Sequence, residues 1–268
     1  MSSVVASHPV LRHWAHLRES AHQRRRERMT VLEGIHLLQV YLAQGGVPKG
    51  WLMAESACYH PEVCALHPPF AWPKPLRVAD ALFEKISSIQ ASVGVVALID
   101  WPEPASSLPD CEPCLVLAGL QDPGNVGTLF RSARAAGMEH VVLAVGSAQA
   151  WAPKVLRAAM GAHFHLRIHE SVVLESWLPQ YQGQILGMDR ELSQRYDRLD
   201  LTGTVALIVG NEGAGLPASV SQHLHQRIHI PMASGVESLN AAVAGSVVLF
   251  ERQRQEHVRV EKISGDGI

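Results

Sequence analysis

Ile230-Pro231-Met232-Ala233-Ser234-Gly235-Val236-Glu237-Ser238-Leu239-Asn240-Ala241-Ala242-Val243-Ala244 runs from a strand end, through a turn marked by proline and glycine, into a helix. The helix is predicted over Glu237 to Gln253. Leu239, Ala242, Val243, Ser246, Leu249 and Phe250 fall on one face of it, while Val247 and Val248 lie off that line, a pattern that suits burial on two sides. Two earlier stretches repeat the arrangement. Leu120 to Ala133 passes from a strand end into a helix and carries Asn125, Gly124, Gly127 and Arg131. Free amides at such a helix start suit an anion, and Arg131 follows Asn125 by under two turns, so both can face one cleft. Val209 to Pro217 follows an apolar strand with Gly210-Asn211-Glu212-Gly213-Ala214-Gly215, a loop able to wrap a flat ligand.

Around these stretches apolar strands alternate with helices. Strands are predicted at Cys114–Ala118, Val141–Val145, Phe164–Ile168, Ile185–Met188, Val205–Val209 and Arg227–Ile230. Helices are predicted at Val126–Ala136, Pro153–Met160 and Val172–Leu178. The fold class is therefore α/β, a mainly parallel sheet with helices on both faces. In open sheets of this kind ligands bind where strand ends open into a crevice, which is where Ser238 and Asn240 fall. Each residue also has a plainer explanation: Asn125 and Ser238 as helix caps, Arg131 and Glu212 as surface charges.

Upstream, Thr30 to Gln44 shows Val31, Ile35, Leu38 and Leu42 at helical spacing, stopped by Gly45-Gly46. Trp51–Ala54 and Val93–Ile99 read as strands and Ala81–Ile89 as a helix. The proline-rich Asp100 to Pro113 reads as a stiff linker, so residues 1–105 and 113–257 are taken as separate domains, the first a small α/β unit.

Composition narrows the function. The chain has 268 residues, 47% of them hydrophobic, which excludes bulk disorder. Polar residues break every apolar run short of ~18, so a spanning helix is not expected, and His8, Arg12, His13 and Trp14 break any signal-peptide core. Four cysteines do not make a disulfide scaffold, and a cytoplasmic protein is the expectation. The net charge is −2, yet residues 1–30 hold six arginines against Glu19 and Glu27. That local excess can contact phosphate, or be a solvated helix face with Arg–Glu pairs. Cys111 and Cys114 form C-x-x-C, but with Cys58 and Cys64 they give poor zinc spacing, and no metal is expected.

The three stretches, in this order, resemble motifs one, two and three of the SpoU (TrmH-like) RNA ribose 2′-O-methyltransferases of the SPOUT class. The resemblance spans about Pro113 to Glu251, and Val31-Leu32-Glu33-Gly34-Ile35 is similar to the opening of the RNA-binding domain in ribosomal-RNA members. It implies a C-terminal trefoil knot, a homodimer formed through the C-terminal domain, and S-adenosylmethionine held by Gly210, Asn211, Ile230, Met232 and Leu239. It implies catalytic positions at Arg131, Asn125, Glu212, Ser238 and Asn240, with Glu212 holding Arg131 or the RNA. The substrate it implies is ribosomal RNA. The alternatives are a tRNA-directed enzyme, a catalytically inert RNA-binding module of the same fold, and a small-molecule enzyme with a nucleotide cofactor. The last is disfavoured because no phosphate-binding fingerprint is present.

Overall fold

The computed structural model describes residues 8–66, 73–87, 93–103, 107–189 and 193–265. The chain divides into two compact units, Met1–Glu103 with Trp151–Phe164, and Pro104–Ala150 with His165–Ile268.

The first unit holds a four-stranded sheet in the order β1-β4-β2-β3, built from β1 (Met29–Glu33), β2 (Gly50–Ala54), β3 (Leu76–Val78) and β4 (Val95–Asp100). Both partners of β4 run antiparallel to it, and β3 runs parallel to β2. Its helices are α1 (Pro9–Glu19), α2 (Ala21–Glu27), α3 (Ile35–Ala43), α4 (Pro61–Cys64) and α5 (Asp80–Ile86). The helix expected from Thr30 is instead strand then helix. Gly34 takes φ +98° and breaks the chain between β1 and α3, leaving Thr30 and Val31 buried in the sheet. A second difference concerns α7 (Pro153–Ala159), which belongs by sequence to the later region but packs against β1. Its Arg157 pairs with the buried Glu33 at 3.6 Å, and the Thr30 hydroxyl donates to the Trp151 carbonyl at 2.7 Å.

The second unit holds seven strands, all parallel to their neighbours, in the order β7-β6-β5-β10-β8-β11-β9. They are β5 (Cys114–Ala118), β6 (His140–Ala144), β7 (Arg167–Val172), β8 (Gln184–Met188), β9 (Gln194–Arg195), β10 (Val205–Gly210) and β11 (Gln226–His229). Central β5 is apolar and buried throughout, as a parallel strand covered on both faces should be. One face, with Cys114, Val116, Ala206 and Ile208, packs against Leu174, Trp177 and Val220 of α8 (Leu174–Trp177) and α9 (Ala218–Ser221). The other is covered by α6 (Pro123–Ala135) and α10 (Ala241–Gly265). Gly245 permits that close approach: a Cβ there would fall 2.6 Å from Leu129 and 3.1 Å from Val209. The expected linker is bound at its end, where the Pro109 and Glu112 carbonyls accept from the Trp177 indole and the Tyr181 hydroxyl.

Helix α10 is also held far along its length. Gln255 bonds Leu199 and Leu201, and Arg252 and Glu256 bond Gly203, all just before β10. The chain thus returns from β11 at one side of the sheet to cross β10 and meet α6.

On β6 and β7, buried His140 and His169 stack with a ring-nitrogen contact of 3.2 Å. One nitrogen must donate and the other accept, so a second proton would set N–H against N–H. Burial first, then the positive field of His140 and Arg167, lowers His169 from 6.5 to about 4. The folded state therefore binds fewer protons than the unfolded chain. The stability this gives is complete above pH 6.5 and declines as pH falls to about 4. Denaturant midpoints measured across that window should fall in the wild type and fall less steeply in His169→Gln.

Candidate active site

The three stretches meet at the C-terminal ends of β5, β10 and β11. Asp122 caps α6, its carboxylate accepting from the Asn125 N–H at 2.8 Å. Gly124 leaves room for that cap, since a Cβ would lie 2.8 Å from the Asp122 oxygen. One of the helix-start amides expected to be free for an anion is thus taken by a carboxylate of the chain. Asn125, released from capping, spans the other two stretches. Its amide N–H donates to Glu212 Oε1 at 3.0 Å, and its carbonyl accepts from the Asn240 amide at 2.9 Å. The Asn240 carbonyl in turn accepts from the Ala242 and Val243 N–H groups at 2.9 and 3.2 Å. Helix α10 therefore starts at Ala241 rather than Glu237, and its cap is Asn240 rather than Ser238.

An ionised carboxylate only accepts, so Glu212 fixes which way the Asn125 amide points, and Asn125 then fixes Asn240. Partial burial works to raise the Glu212 carboxyl. Hydrogen bonds from the Asn125 amide and from backbone N–H groups, including those of Gln121 and Asp122, outweigh it and hold the carboxyl below its ordinary value. Glu212 is thus committed to Asn125 and the α6 start, not to Arg131. Arg131 stands exposed on α6. Six residues turn a helix by a net ~240°, which points it away from Asn125. Among the described residues it has no hydrogen-bond or ion-pair partner.

The glycine-rich loop closes on itself. Asn211 and Gly215 exchange backbone hydrogen bonds at 3.0 Å, and the Asn211 side chain accepts from Gly213 and Ala214 and donates to the Gly119 carbonyl at 2.8 Å. A Cβ on Gly210 would meet the Gly215 backbone at 2.6 Å, so Gly210 is required by loop closure. Beside this corner, a cavity of about 170 Å³ is lined by Ile230, Met232, Ser238 and Leu239. Three of the five residues assigned to cofactor binding are therefore brought together, while Gly210 and Asn211 shape the neighbouring loop and are not among the lining residues. The sequence missed Met188, Asp189, Ile228, His229 and Glu237 in the lining. The signal for the first four was position at the ends of β8 and β11, while Glu237 lies in the loop before α10. Leu239 is 39% exposed at this cavity, an apolar side chain without an apolar cover.

Of the C-x-x-C pair, Cys111 is exposed and Cys114 is buried. Burial pushes Cys114 up to about 12, which disfavours the thiolate a zinc ion needs.

A family model, the SpoU rRNA Methylase family, matches residues 112–250, from just before β5 into α10. The chain belongs to the SpoU rRNA methylase family. Among its relatives is a protein of Synechocystis sp. described as an uncharacterized tRNA/rRNA methyltransferase, 34% identical over 241 residues, covering 87% of this chain and 86% of that protein. The 23S rRNA (guanosine(2553)-2′-O)-methyltransferase RlmP of Bacillus subtilis is 28% identical over 228 residues, covering 82% and 86%. The crystal structure of an AdoMet-bound rRNA methyltransferase from Sinorhizobium meliloti superposes with a TM-score of 0.80 at 25% identity, covering 92% of this chain and 95% of that one. In SpoU terms, motifs one, two and three of this chain each contribute one residue to the Glu212–Asn125–Asn240 network.

Asn125→Asp tests that network. Two carboxylates would then face each other across the 3.0 Å contact, so the Glu212 carboxyl should titrate at higher pH and thermal stability should fall. Carboxyl-detected NMR titration of the two proteins checks this; an unchanged Glu212 curve would contradict the assignment.

Proposed function

We propose that this chain transfers a methyl group from S-adenosylmethionine to a ribose 2′-hydroxyl of ribosomal RNA. The observation that carries the proposal is the hydrogen-bonded Glu212–Asn125–Asn240 network beside the apolar cavity at Leu239, with an arginine exposed on the helix that carries Asn125. The names of the Bacillus and Sinorhizobium relatives support the substrate and the cofactor. Ile230, Met232 and Leu239 suit the faces of an adenine ring, and the strand-end backbone around them suits its edge. S-Adenosylmethionine held there supplies an electrophilic methyl group on a sulfonium.

The chain itself has to position a sugar hydroxyl and to stabilise the negative charge that develops as it loses its proton. Arg131 fills that role. A guanidinium is a poor base but a good partner for an oxyanion or an adjacent phosphate. Glu212, Asn125 and Asn240 act as positioning residues, fixing the start of α6 relative to α10. Ser238 lines the cavity and helps order the approach to Leu239.

RNA capture is assigned to residues 1–105 and transfer to 113–257, except that Trp151–Phe164 packs with the first unit. Exposed Arg12, Arg25, Arg26 and Arg28 supply the positive surface. Arg24 does not, being buried and bonded to the Leu17 and Arg18 carbonyls. The return of α10 across β10 supports a trefoil knot. The exposed apolar stripe Leu239, Val243 and Phe250 supports a homodimer through this unit. No described helix is long and apolar enough to cross a membrane, and the ribosomal substrate supports a cytoplasmic location.

Arg131→Ala should lower methyl transfer to ribosomal RNA by about 10²-fold or more while calorimetric binding of S-adenosylmethionine is unchanged. Wild-type rates in the variant would remove Arg131 from the mechanism. No binding of S-adenosylmethionine by the wild type would favour an inert RNA-binding module. Transfer to tRNA alone would favour the tRNA-directed alternative.

A further inference from the structure

A second cavity, of about 310 Å³, opens at the C-terminal ends of β5, β6 and β7 on the α8–α9 face of the sheet. Ala118, Ala144, Leu174 and Val220 form its floor and walls, and all four belong to or pack on the buried core, so the walls are preformed. Two valines at its rim are left to solvent, Val145 at 63% and Val173 at 53% exposure. The polar group of the lining is Glu175, whose Oε1 accepts from the Ser219 hydroxyl at 2.7 Å. That bond is the main reason its carboxyl is held below the ordinary value, so it stands ionised.

The cavity adjoins the glycine-rich loop of the site already described. Gly119 lines it, the Gly119 carbonyl is held by the Asn211 side chain, and Asn211 precedes Glu212. Pro217, at the other end of the same glycine-rich loop, forms part of its wall.

We propose that this cavity is a nucleobase subsite, which receives an unstacked guanine of the RNA and reads its Watson–Crick edge with Glu175. The proposal rests on the chain being an RNA methyltransferase and names a base its site selects. An apolar slot of this size suits a flat heteroaromatic ring, as in other proteins that draw a base out of its stack. A carboxylate repels phosphate, which turns the base rather than the backbone toward it. Guanine alone presents two adjacent donors, N1–H and the 2-amino group, to a group that only accepts. Adenine and cytosine each place an acceptor beside their one amino donor, and uracil sets its single N–H between two carbonyls.

The test uses the full chain with methyl-labelled valine, titrated with guanosine, inosine and adenosine 5′-monophosphates. Guanosine monophosphate should shift the Val145 and Val173 methyl signals saturably and bind about tenfold more tightly than adenosine monophosphate. Inosine monophosphate, lacking the 2-amino group, should fall between them. Glu175→Gln should remove the preference, and Val145→Trp, a change at an exposed position, should fill the slot and remove binding without altering the thermal melt. Unmoved valine signals, equal affinity for the three nucleotides, or a preference that survives Glu175→Gln would overturn the proposal. Calorimetry with S-adenosylmethionine on the same samples reports separately on the cavity at Leu239. Its loss alone sinks the methyltransferase proposal and leaves the base subsite standing.

Discussion

One side-chain amide holds the candidate site together. Asn125 gives its N–H to Glu212 and takes one from Asn240, so residues separated by 87 and 115 positions are fixed through a single planar group. The direction of the network starts from a carboxylate that can only accept, and it ends on the backbone N–H groups of a 25-residue helix. No link can reverse without leaving a donor against a donor. The start of α6, the glycine-rich loop and the start of α10 are therefore one rigid corner.

The rest of the unit keeps that corner in place. Buried β5 and β10 set two of the three strand ends side by side. Gly245 lets α10 close onto Leu129 and Val209, and the bonds of Arg252, Gln255 and Glu256 to residues 199–203 tie the far part of the helix to the chain before β10. The loop after β10 is shaped by its own closure at Asn211 and Gly215, which leaves Glu212 facing Asn125. Packing, loop geometry and hydrogen bonding thus converge on the corner beside the apolar cavity at Leu239.

Much of this was legible in the residues. The continuous apolar runs of β5 and β10 announce a parallel sheet, and the order of three strand-end stretches announces the family. What escaped depends on partners far away in sequence. Val31 sits at helical spacing from Ile35 by coincidence, and only the positive φ of Gly34 separates strand from helix. Asn240 looks incidental beside Ser238 until Asn125 is opposite it. A Glu–Arg pairing of Glu212 with Arg131 is chemically reasonable, but helix rotation points the arginine elsewhere. Arg24 counts toward a basic surface in the sequence, yet the turn between α1 and α2 buries it on backbone carbonyls. Helix α7 reads as part of the later region because nothing local shows that it packs on β1.

The central claim is that this corner delivers a methyl group to a sugar oxygen. Its most direct test incubates the protein with methyl-tritiated S-adenosylmethionine and unmodified ribosomal RNA, then hydrolyses the RNA in alkali. A methylated 2′-oxygen cannot attack the neighbouring phosphate, so the label should emerge in an alkali-resistant dinucleotide. Label released in a mononucleotide, on a base, would contradict the account, as would RNA that acquires no label.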